Sequence, residues 1–143
     1  MPKVVSINSK TDSLYENKKY NKLLRCVSLL IMQLISPTIT KLTSYTVNPI
    51  STYILMKYFG GRIDPIGHED FFKWMDDNKL VLEPSKYRKI FEEYYKYASD
   101  IYKKDDARYD ELYGIQVNID INEETIKNAE RLFNETVTEI SCN

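Results

Sequence analysis

The chain has 143 residues, of which 43% are hydrophobic and 29% are charged, and its formal net charge is −1. This length suits one domain with a core of its own. The hydrophobic fraction excludes an intrinsically disordered chain, and the balanced charge excludes a strongly basic nucleic-acid binder. Only two cysteines are present, which excludes a disulfide framework and indicates a reducing, cytoplasmic compartment.

The first part of the chain predicts a short extended segment and a long helix. Lys3–Ile7 contains β-branched residues and is typical of a strand. Ser13 and Glu16 have the spacing of a capping box, so we expect a helix from there to Ile35. From Leu23 onward the apolar residues cover all faces, which predicts a buried helix at the centre of the fold. This apolar run is shorter than the about 20 residues of a membrane-spanning helix, so we expect no membrane insertion.

Proline and glycine mark the next elements. Pro37 ends the first helix, because proline disfavours helical geometry in the residue before it. Residues 38–47 are rich in threonine and β-branched residues, and we interpret them as a short, weak helix. Asn48 and Pro49 combine an N-cap with a proline at the first helical position and predict a helix to Phe59. Gly60 then supplies the left-handed conformation that ends it.

The second half predicts three further helices before a strand. The acidic pair Glu69 and Asp70 favours a helix start. Glu83–Pro84 opens the longest helix, which continues to about Lys104. A short helix capped by Asp105 or Asp106 then ends at Gly114.

The segment 115–121 alternates strictly between apolar and polar residues, which is the period of a strand. A lone strand leaves its backbone groups unpaired, so it needs a partner. We expect residues 3–7 to pair with residues 115–121; pairing across a dimer is the alternative. Asn122 caps a final helix whose apolar residues have near-heptad spacing, so it packs on one neighbour or on its own copy in a homodimer.

These elements predict a mainly α fold. We expect a single compact domain over residues 1–143, with five to six helices and at most a small two-stranded β element (3–7 with 115–121).

Charge is segregated along the chain. Residues 1–60 carry eight Lys and Arg against two acidic residues, whereas residues 105–143 carry three against ten. One interpretation is that the two ends fold against each other and their fields partly cancel. The other is that the final helix, with Glu123, Glu124 and Glu130, docks a partner protein that has a basic surface.

Twelve tyrosines are the most unusual feature of the composition. Tyrosine offers a large apolar area with a polar tip and is enriched at protein interfaces. Tyr95, Tyr97 and Tyr102 lie partly off the inward stripe of the long helix, so we expect them to contribute to a partner-binding surface. The alternative is that they cover the edges of the core with their hydroxyl groups in water.

Catalytic patterns are sparse. His68 is the only histidine, and no zinc-binding spacing, nucleophile elbow or phosphate-binding loop is present, so we expect no cofactor and no metal. Cys26 lies in an apolar stretch where desolvation raises the thiol pKa. Arg62 and His68 are separated by five residues, a spacing that resembles the R-x4-6-H element of the HEPN-type RNases. The resemblance implies a helical RNase in which Arg62 contacts phosphate and His68 serves in acid–base catalysis, usually across a dimer.

The function that we expect is non-enzymatic. The sequence favours a small intracellular regulatory or inhibitory protein that binds another protein, and its codon bias fits an AT-rich, viral or mobile-element genome. Sequence-specific nucleic-acid binding is not expected, because the helix after His68 is acidic. Two alternatives remain, namely the RNase that uses Arg62 and His68 and a sensor with an apolar ligand in its core. The side chains expected around that ligand are Leu30, Leu34, Ile54, Leu55 and Phe59.

Overall fold

The computed structural model describes residues 3–6, 20–102 and 114–142. The helices of this part are α1 (Tyr20–Ile35), α2 (Pro49–Phe59), α3 (Glu69–Asp77), α4 (Tyr87–Tyr102) and α5 (Glu123–Ser141), with a 3-10 turn at Pro84–Lys86 before α4. The strands are β1 (Lys3–Ser6), β2 (Ile39–Thr46), β3 (Arg62–Ile63) and β4 (Ile115–Asp120). The predicted fold class, mainly α with a small β element, is confirmed. The predicted capping box at 13–16 and the short helix ending at Gly114 fall on residues outside this description.

Local capping signals place the helix ends as the sequence predicts. The Asn48 side chain accepts a hydrogen bond from the backbone N–H of Ile50, and Gly60 ends α2 in the left-handed region at φ 63°. At the start of α5, Asn122 and Thr125 form a reciprocal capping box. These boundaries follow from interactions within a few residues, so the sequence alone was sufficient to find them.

The sheet has four strands in the order β1-β2-β4-β3. β1 runs parallel to β2, whereas β4 is antiparallel to both β2 and β3. The predicted pairing of residues 3–7 with 115–121 was therefore wrong, because β2 lies between them. The prediction of a helix over residues 38–47 was also wrong, because most of this segment forms β2, the strand that pairs with β4. Polar Ser44 and Thr46 occupy inward positions of β2, and this hides its alternating pattern.

The two faces of the sheet differ sharply. Leu42, Ser44 and Thr46 of β2 lie opposite Ile119, Val117 and Ile115 of β4, and all six residues are buried. The other face of these two strands is polar, with Thr43 donating a hydrogen bond to the Asn118 side chain at 3.1 Å. α2 lies against β2 and β4, α4 packs on α2, and α1 packs along α5. The basic and acidic ends of the chain are thus brought together, as one of the two interpretations of the charge pattern expects.

An aromatic cluster joins α3 to α4. Phe71 is 1% exposed, and its ring centroid lies 4.8 Å from that of Tyr94 in an edge-to-face arrangement. Trp74 meets the same Tyr94 ring at 5.4 Å. Such pairs contribute about 0.5–1.5 kcal/mol each beyond the area they bury, so they fix α3 against α4. None of the helices in the described segments combines the length and apolarity that crossing a membrane requires.

Candidate functional site

α1 is only partly buried, which corrects the prediction of a helix that is enclosed on all sides. Cys26 and Leu29 lie in the core. On the opposite side, Ile31 is 46% exposed, and Leu34 and Ile35 at the end of the helix are 76% and 72% exposed. Contiguous exposed apolar surface on a protein commonly marks an interaction site. The exposed end of α1 is therefore the first candidate feature.

The acidic first turn of α5 lies at the same end of the sheet. Three residues connect the end of α1 to the start of β2. Near that start, the carbonyl of Thr40 accepts a hydrogen bond at 2.9 Å from the backbone N–H of Ile121, which lies between the end of β4 and the start of α5. Glu123 and Glu124 follow directly and are exposed. We call Leu34, Ile35, Glu123 and Glu124 together the acidic-apolar end. The fold places these two pairs at the same end of the sheet although they are almost ninety residues apart.

Glu130 lies further along α5 and is also exposed. It is about two helical turns, or about 10 Å, from Glu123, so it extends the acidic surface away from Leu34 and Ile35. Within the described ranges, no Lys or Arg side chain forms an ion pair with Glu123, Glu124 or Glu130. In this part of the chain these three carboxylates thus have no directly paired cation, although Lys127 lines the same surface recess as Glu123 and Glu124.

The tyrosines of α4 do not form one surface. Tyr95 is 3% exposed, and its hydroxyl donates to the carbonyl of Thr46 at 2.8 Å and lies 3.0 Å from the Thr52 hydroxyl. The prediction that Tyr95 contacts a partner was wrong, because it is a core residue that joins α4 to β2 and α2. Its position four residues after Phe91, on the same helical stripe, is the signal that could have shown this.

Tyr97 and Tyr102 have different positions. Tyr97 is 39% exposed and its ring centroid lies 6.0 Å from that of Trp74, so it covers the edge of the aromatic cluster. Tyr102 is the last residue of α4, and its side chain is outside the described part. Of the two predicted tyrosines whose side chains are described, Tyr97 is thus the one at the surface.

His68 is held by the backbone on both sides of its ring. Its Nε2 accepts a hydrogen bond from the N–H of Gln116 at 3.0 Å, and its Nδ1 lies 3.1 Å from the carbonyl of Asp64. A ring nitrogen that accepts a hydrogen bond carries no proton, so the proton of the neutral ring is on Nδ1. Nδ1 therefore donates to the carbonyl of Asp64. Both nitrogens are occupied, so neither is available for acid–base catalysis in this arrangement.

Arg62 is directed away from His68. Arg62 lies opposite Asn118 of β4, and its guanidinium group forms an ion pair with Asp120. His68 meets β4 at Gln116, on the other side of Asn118. Gln116 and Asp120 are four positions apart along the strand, a span of about 13 Å. The structure therefore does not bring Arg62 and His68 to one phosphate-sized site.

The remaining candidates also find places in the fold. Cys26 is fully buried, and burial raises the pKa of its thiol to about 11, as the sequence analysis expects. In the part of the chain that is described, no three His, Cys, Asp or Glu side chains converge as a metal site requires. Leu34 is exposed while Ile54, Leu55 and Phe59 are buried, so the residues proposed around an apolar ligand do not surround one cavity. The cavity beside Leu55 and Phe59 measures about 20 Å3, which is far below the volume of ordinary ligand pockets.

A cluster of lysine and tyrosine side chains, which the sequence analysis missed, lies where α1 meets α2. The Nζ of Lys22 lies 4.8 Å from the centroid of the Tyr58 ring, and Lys57 donates a hydrogen bond to the Tyr53 hydroxyl at 3.0 Å. Burial acts to raise the pKa of Tyr53, but the hydrogen bond and positive charge of Lys57 hold that pKa below its ordinary value. Burial raises the pKa of Tyr58, and its interaction with the neighbouring Tyr53 hydroxyl adds to the rise. Only the i, i+4 spacing of Tyr53 and Lys57 could have signalled this cluster.

No family model matches the chain, and the comparisons with curated proteins and with solved structures found no match either.

Proposed function

We propose that this chain is a non-enzymatic regulatory or inhibitory protein that binds another protein through its acidic-apolar end. The partner segment that fits this end has apolar side chains flanked by Lys or Arg. The observation that supports the proposal is the 76% and 72% exposure of Leu34 and Ile35 at the end of the sheet where the exposed residues Glu123 and Glu124 also lie.

The two components of this surface serve different purposes. Full burial of a leucine or isoleucine side chain contributes about 1.5–3 kcal/mol relative to its exposed state. Leu34 and Ile35 would therefore supply affinity. The carboxylates of Glu123, Glu124 and Glu130 would attract a basic partner, since complementary charge raises the association rate and discriminates against acidic proteins. Tyr97 lies on another helix and is not needed for this contact.

The chemistry of the cysteines supports a reducing, cytoplasmic setting for this interaction. Cys26 and Cys142 are both free, one buried and the other exposed. An exposed unpaired thiol persists where glutathione and thioredoxin keep cysteines reduced.

The test is affinity capture by the full chain from its native host, with chemical crosslinking and identification of the captured protein. Leu34→Asp with Ile35→Asp should remove capture, because two charges then face the apolar segment of the partner. Glu123→Lys with Glu124→Lys should weaken capture, and the loss should be greatest at low salt, where surface charge is least screened.

The matched control reverses two exposed acidic residues elsewhere, Asp76→Lys on α3 and Asp100→Lys on α4. This variant has the same net charge as the double variant of α5 and should retain capture. Capture of the same proteins in equal amounts by all variants would contradict the proposal. Loss of capture in the control would show that only net charge matters.

A further inference from the structure

The exposed side of α1 is apolar along most of its length, not only at its end. Leu24, Ile31 and Leu34 are 37%, 46% and 76% exposed, and Val27 between them is half-buried. At about 100° per residue, these four side chains lie within an arc of about 80° around the helix axis. We call these four residues the α1 stripe. Surface helices normally present polar residues to water, so an apolar stripe of this kind indicates a contact with another molecule.

The charged residues of α1 do not lie on the α1 stripe. Arg25 is buried, and the Nζ of Lys22 lies 4.8 Å from the centroid of the Tyr58 ring. The helix contains no acidic residue. From Leu24 to Leu34 the stripe is about 15 Å long. It ends at the end of the sheet where the exposed residues Glu123 and Glu124 lie, so a molecule that covers it meets apolar side chains first and carboxylates at one end.

The spacing of the α1 stripe favours a second helix as the molecule that covers it. Its residues follow one another at steps of three, four and three positions, which is the period of a seam between two helices. These steps place a side chain about every 4.5–6 Å along the axis, and a second helix has the same spacing. An extended peptide places side chains on one face only about every 6.7 Å.

Backbone hydrogen bonds also favour a helix over an extended peptide. A strand laid on an apolar surface loses water from its N–H and C=O groups, and these groups then need new partners. Between Leu24 and Ile31, α1 offers none, because its own backbone groups bond within the helix. A helical partner keeps its backbone hydrogen bonds when it binds.

We infer that the partner of this protein presents an amphipathic helix of about three turns, which lies along the α1 stripe and carries Lys or Arg at the end that meets Glu123 and Glu124. This inference rests on the proposed function, because it extends the acidic-apolar end along α1 and gives the partner segment its secondary structure. The apolar stripe supplies the contact area, and the carboxylates select the end of the partner helix that carries the cations. A bilayer fits less well, because the same carboxylates repel anionic lipid headgroups.

The probe for the experiment is a dye-labelled peptide of about 18 residues, or five helical turns, with leucine at heptad positions a and d and lysine in both terminal turns. Fluorescence anisotropy should show that this heptad peptide binds the full chain, and circular dichroism should show that it gains helix on binding. A second peptide of the same composition, with its leucines at alternate positions, should bind at least about tenfold more weakly, because its apolar side chains do not form a helical stripe.

Leu24→Asp with Ile31→Asp should weaken binding of the heptad peptide at least about tenfold, since two charges then lie in the stripe. The matched control is Ile66→Asp with Val81→Asp, which adds the same charge at two exposed apolar residues outside α1 and should bind like wild type. Thermal unfolding shows whether each variant folds. If Leu24→Asp with Ile31→Asp does not, Leu24→Ser with Ile31→Ser takes its place.

Three results would overturn the inference: no binding of the heptad peptide, equal binding of the two peptides, or full binding by Leu24→Asp with Ile31→Asp. Binding to vesicles of anionic phospholipid that this variant loses would also overturn it, because a bilayer then covers the stripe. A dimer in analytical ultracentrifugation that the variant dissociates would place a second copy there, with the same consequence.

The capture experiment separates this inference from the proposed function. If Leu34→Asp with Ile35→Asp removes capture while Leu24→Asp with Ile31→Asp retains it, the acidic-apolar end binds the partner and the helix along the stripe is wrong. If both variants retain capture, the proposed function is contradicted as well.

Discussion

His68 serves Gln116 as a substitute for a strand partner. The short strand β3 ends at Ile63, which pairs with Val117 of β4, so β3 does not reach the N–H of the adjacent Gln116. The imidazole Nε2 of His68 accepts a hydrogen bond from this N–H at 3.0 Å instead. A buried or half-buried backbone donor without an acceptor destabilises a fold by about 1–3 kcal/mol. The only histidine of the chain thus completes the edge of the sheet.

His68→Ala should therefore lower the free energy of unfolding by about 1–2 kcal/mol, because Gln116 loses its acceptor. Urea denaturation followed by circular dichroism measures this. The matched control is Arg62→Ala, which changes the other residue of the RNase-like Arg62 and His68 motif. The ion pair of Arg62 with Asp120 is exposed and should contribute at most about 1 kcal/mol to the free energy of unfolding. Equal stability of His68→Ala and wild type would show that the hydrogen bond to Gln116 contributes nothing.

The same two variants test the RNase alternative. Arg62 and His68 are directed to opposite ends of β4. We therefore expect that the wild-type chain has no RNA-cleaving activity that depends on these two residues, so neither alanine variant should abolish cleavage. Incubation of the purified proteins with labelled RNA measures this. Cleavage that disappears in both His68→Ala and Arg62→Ala would make this protein an enzyme and contradict the proposed function.

Tyr95→Phe should destabilise the protein by about 1–3 kcal/mol, since the buried carbonyl of Thr46 and the Thr52 hydroxyl lose a partner while the ring still fills its space. The control is Tyr97→Phe. Tyr97 is 39% exposed, and loss of its hydroxyl should change stability by no more than about 0.5 kcal/mol. The difference between the two urea midpoints is the measurement, and equal midpoints would place Tyr95 outside the core.

The two cysteines should differ in reactivity. At pH 8 a chromogenic disulfide reagent should modify exposed Cys142 rapidly and buried Cys26 only after unfolding, since burial holds the pKa of Cys26 at about 11. Counting the thiols modified before and after addition of guanidinium chloride measures this. Rapid modification of both thiols in the native protein would contradict the buried position of Cys26.

The raised pKa of Cys26 also predicts a pH dependence. Below pH 9 the thiol is protonated in both the folded and the unfolded states, so it adds no slope. Between pH 9 and 11 the unfolded state loses this proton first, so stability falls by up to about 1.4 kcal/mol per pH unit. Because tyrosines and lysines titrate in the same range, the measurement is the difference in slope between wild type and Cys26→Ala. Identical slopes would contradict the prediction.

Gly60 and Gly61 should respond differently to a methyl group. Gly60→Ala places alanine in the left-handed region at φ 63° with open space around it, so we expect a loss of about 1 kcal/mol. Gly61→Ala should destabilise the protein more, because an added Cβ overlaps the Val117 side chain and lies 2.8 Å from the Leu55 carbonyl oxygen. Thermal unfolding measures the loss of stability in each variant. A larger loss in Gly60→Ala than in Gly61→Ala would show that α2 and β4 do not approach closely at Gly61.

The amino-acid sequence by itself determined the local features of this protein. Asn48 and Gly60 set the ends of α2, Asn122 sets the start of α5, and strict alternation marks β4. Each of these signals acts between residues that are close along the chain. Backbone geometry and nearby hydrogen bonds are sufficient to decide them, whatever the rest of the molecule does.

Only the tertiary structure decided the partners of these elements. Residues 39–46 form a strand because β4 requires a neighbour, and polar Ser44 and Thr46 can face inward because Arg25, Thr52 and Tyr95 hydrogen-bond to them. Tyr95 is buried and the end of α1 is exposed because α2 and α5 cover some helical faces and leave others open. Such outcomes depend on contacts between distant residues. Apolar periodicity shows which side chains are suited to burial, whereas the packing of elements from different parts of the chain determines which of them are buried.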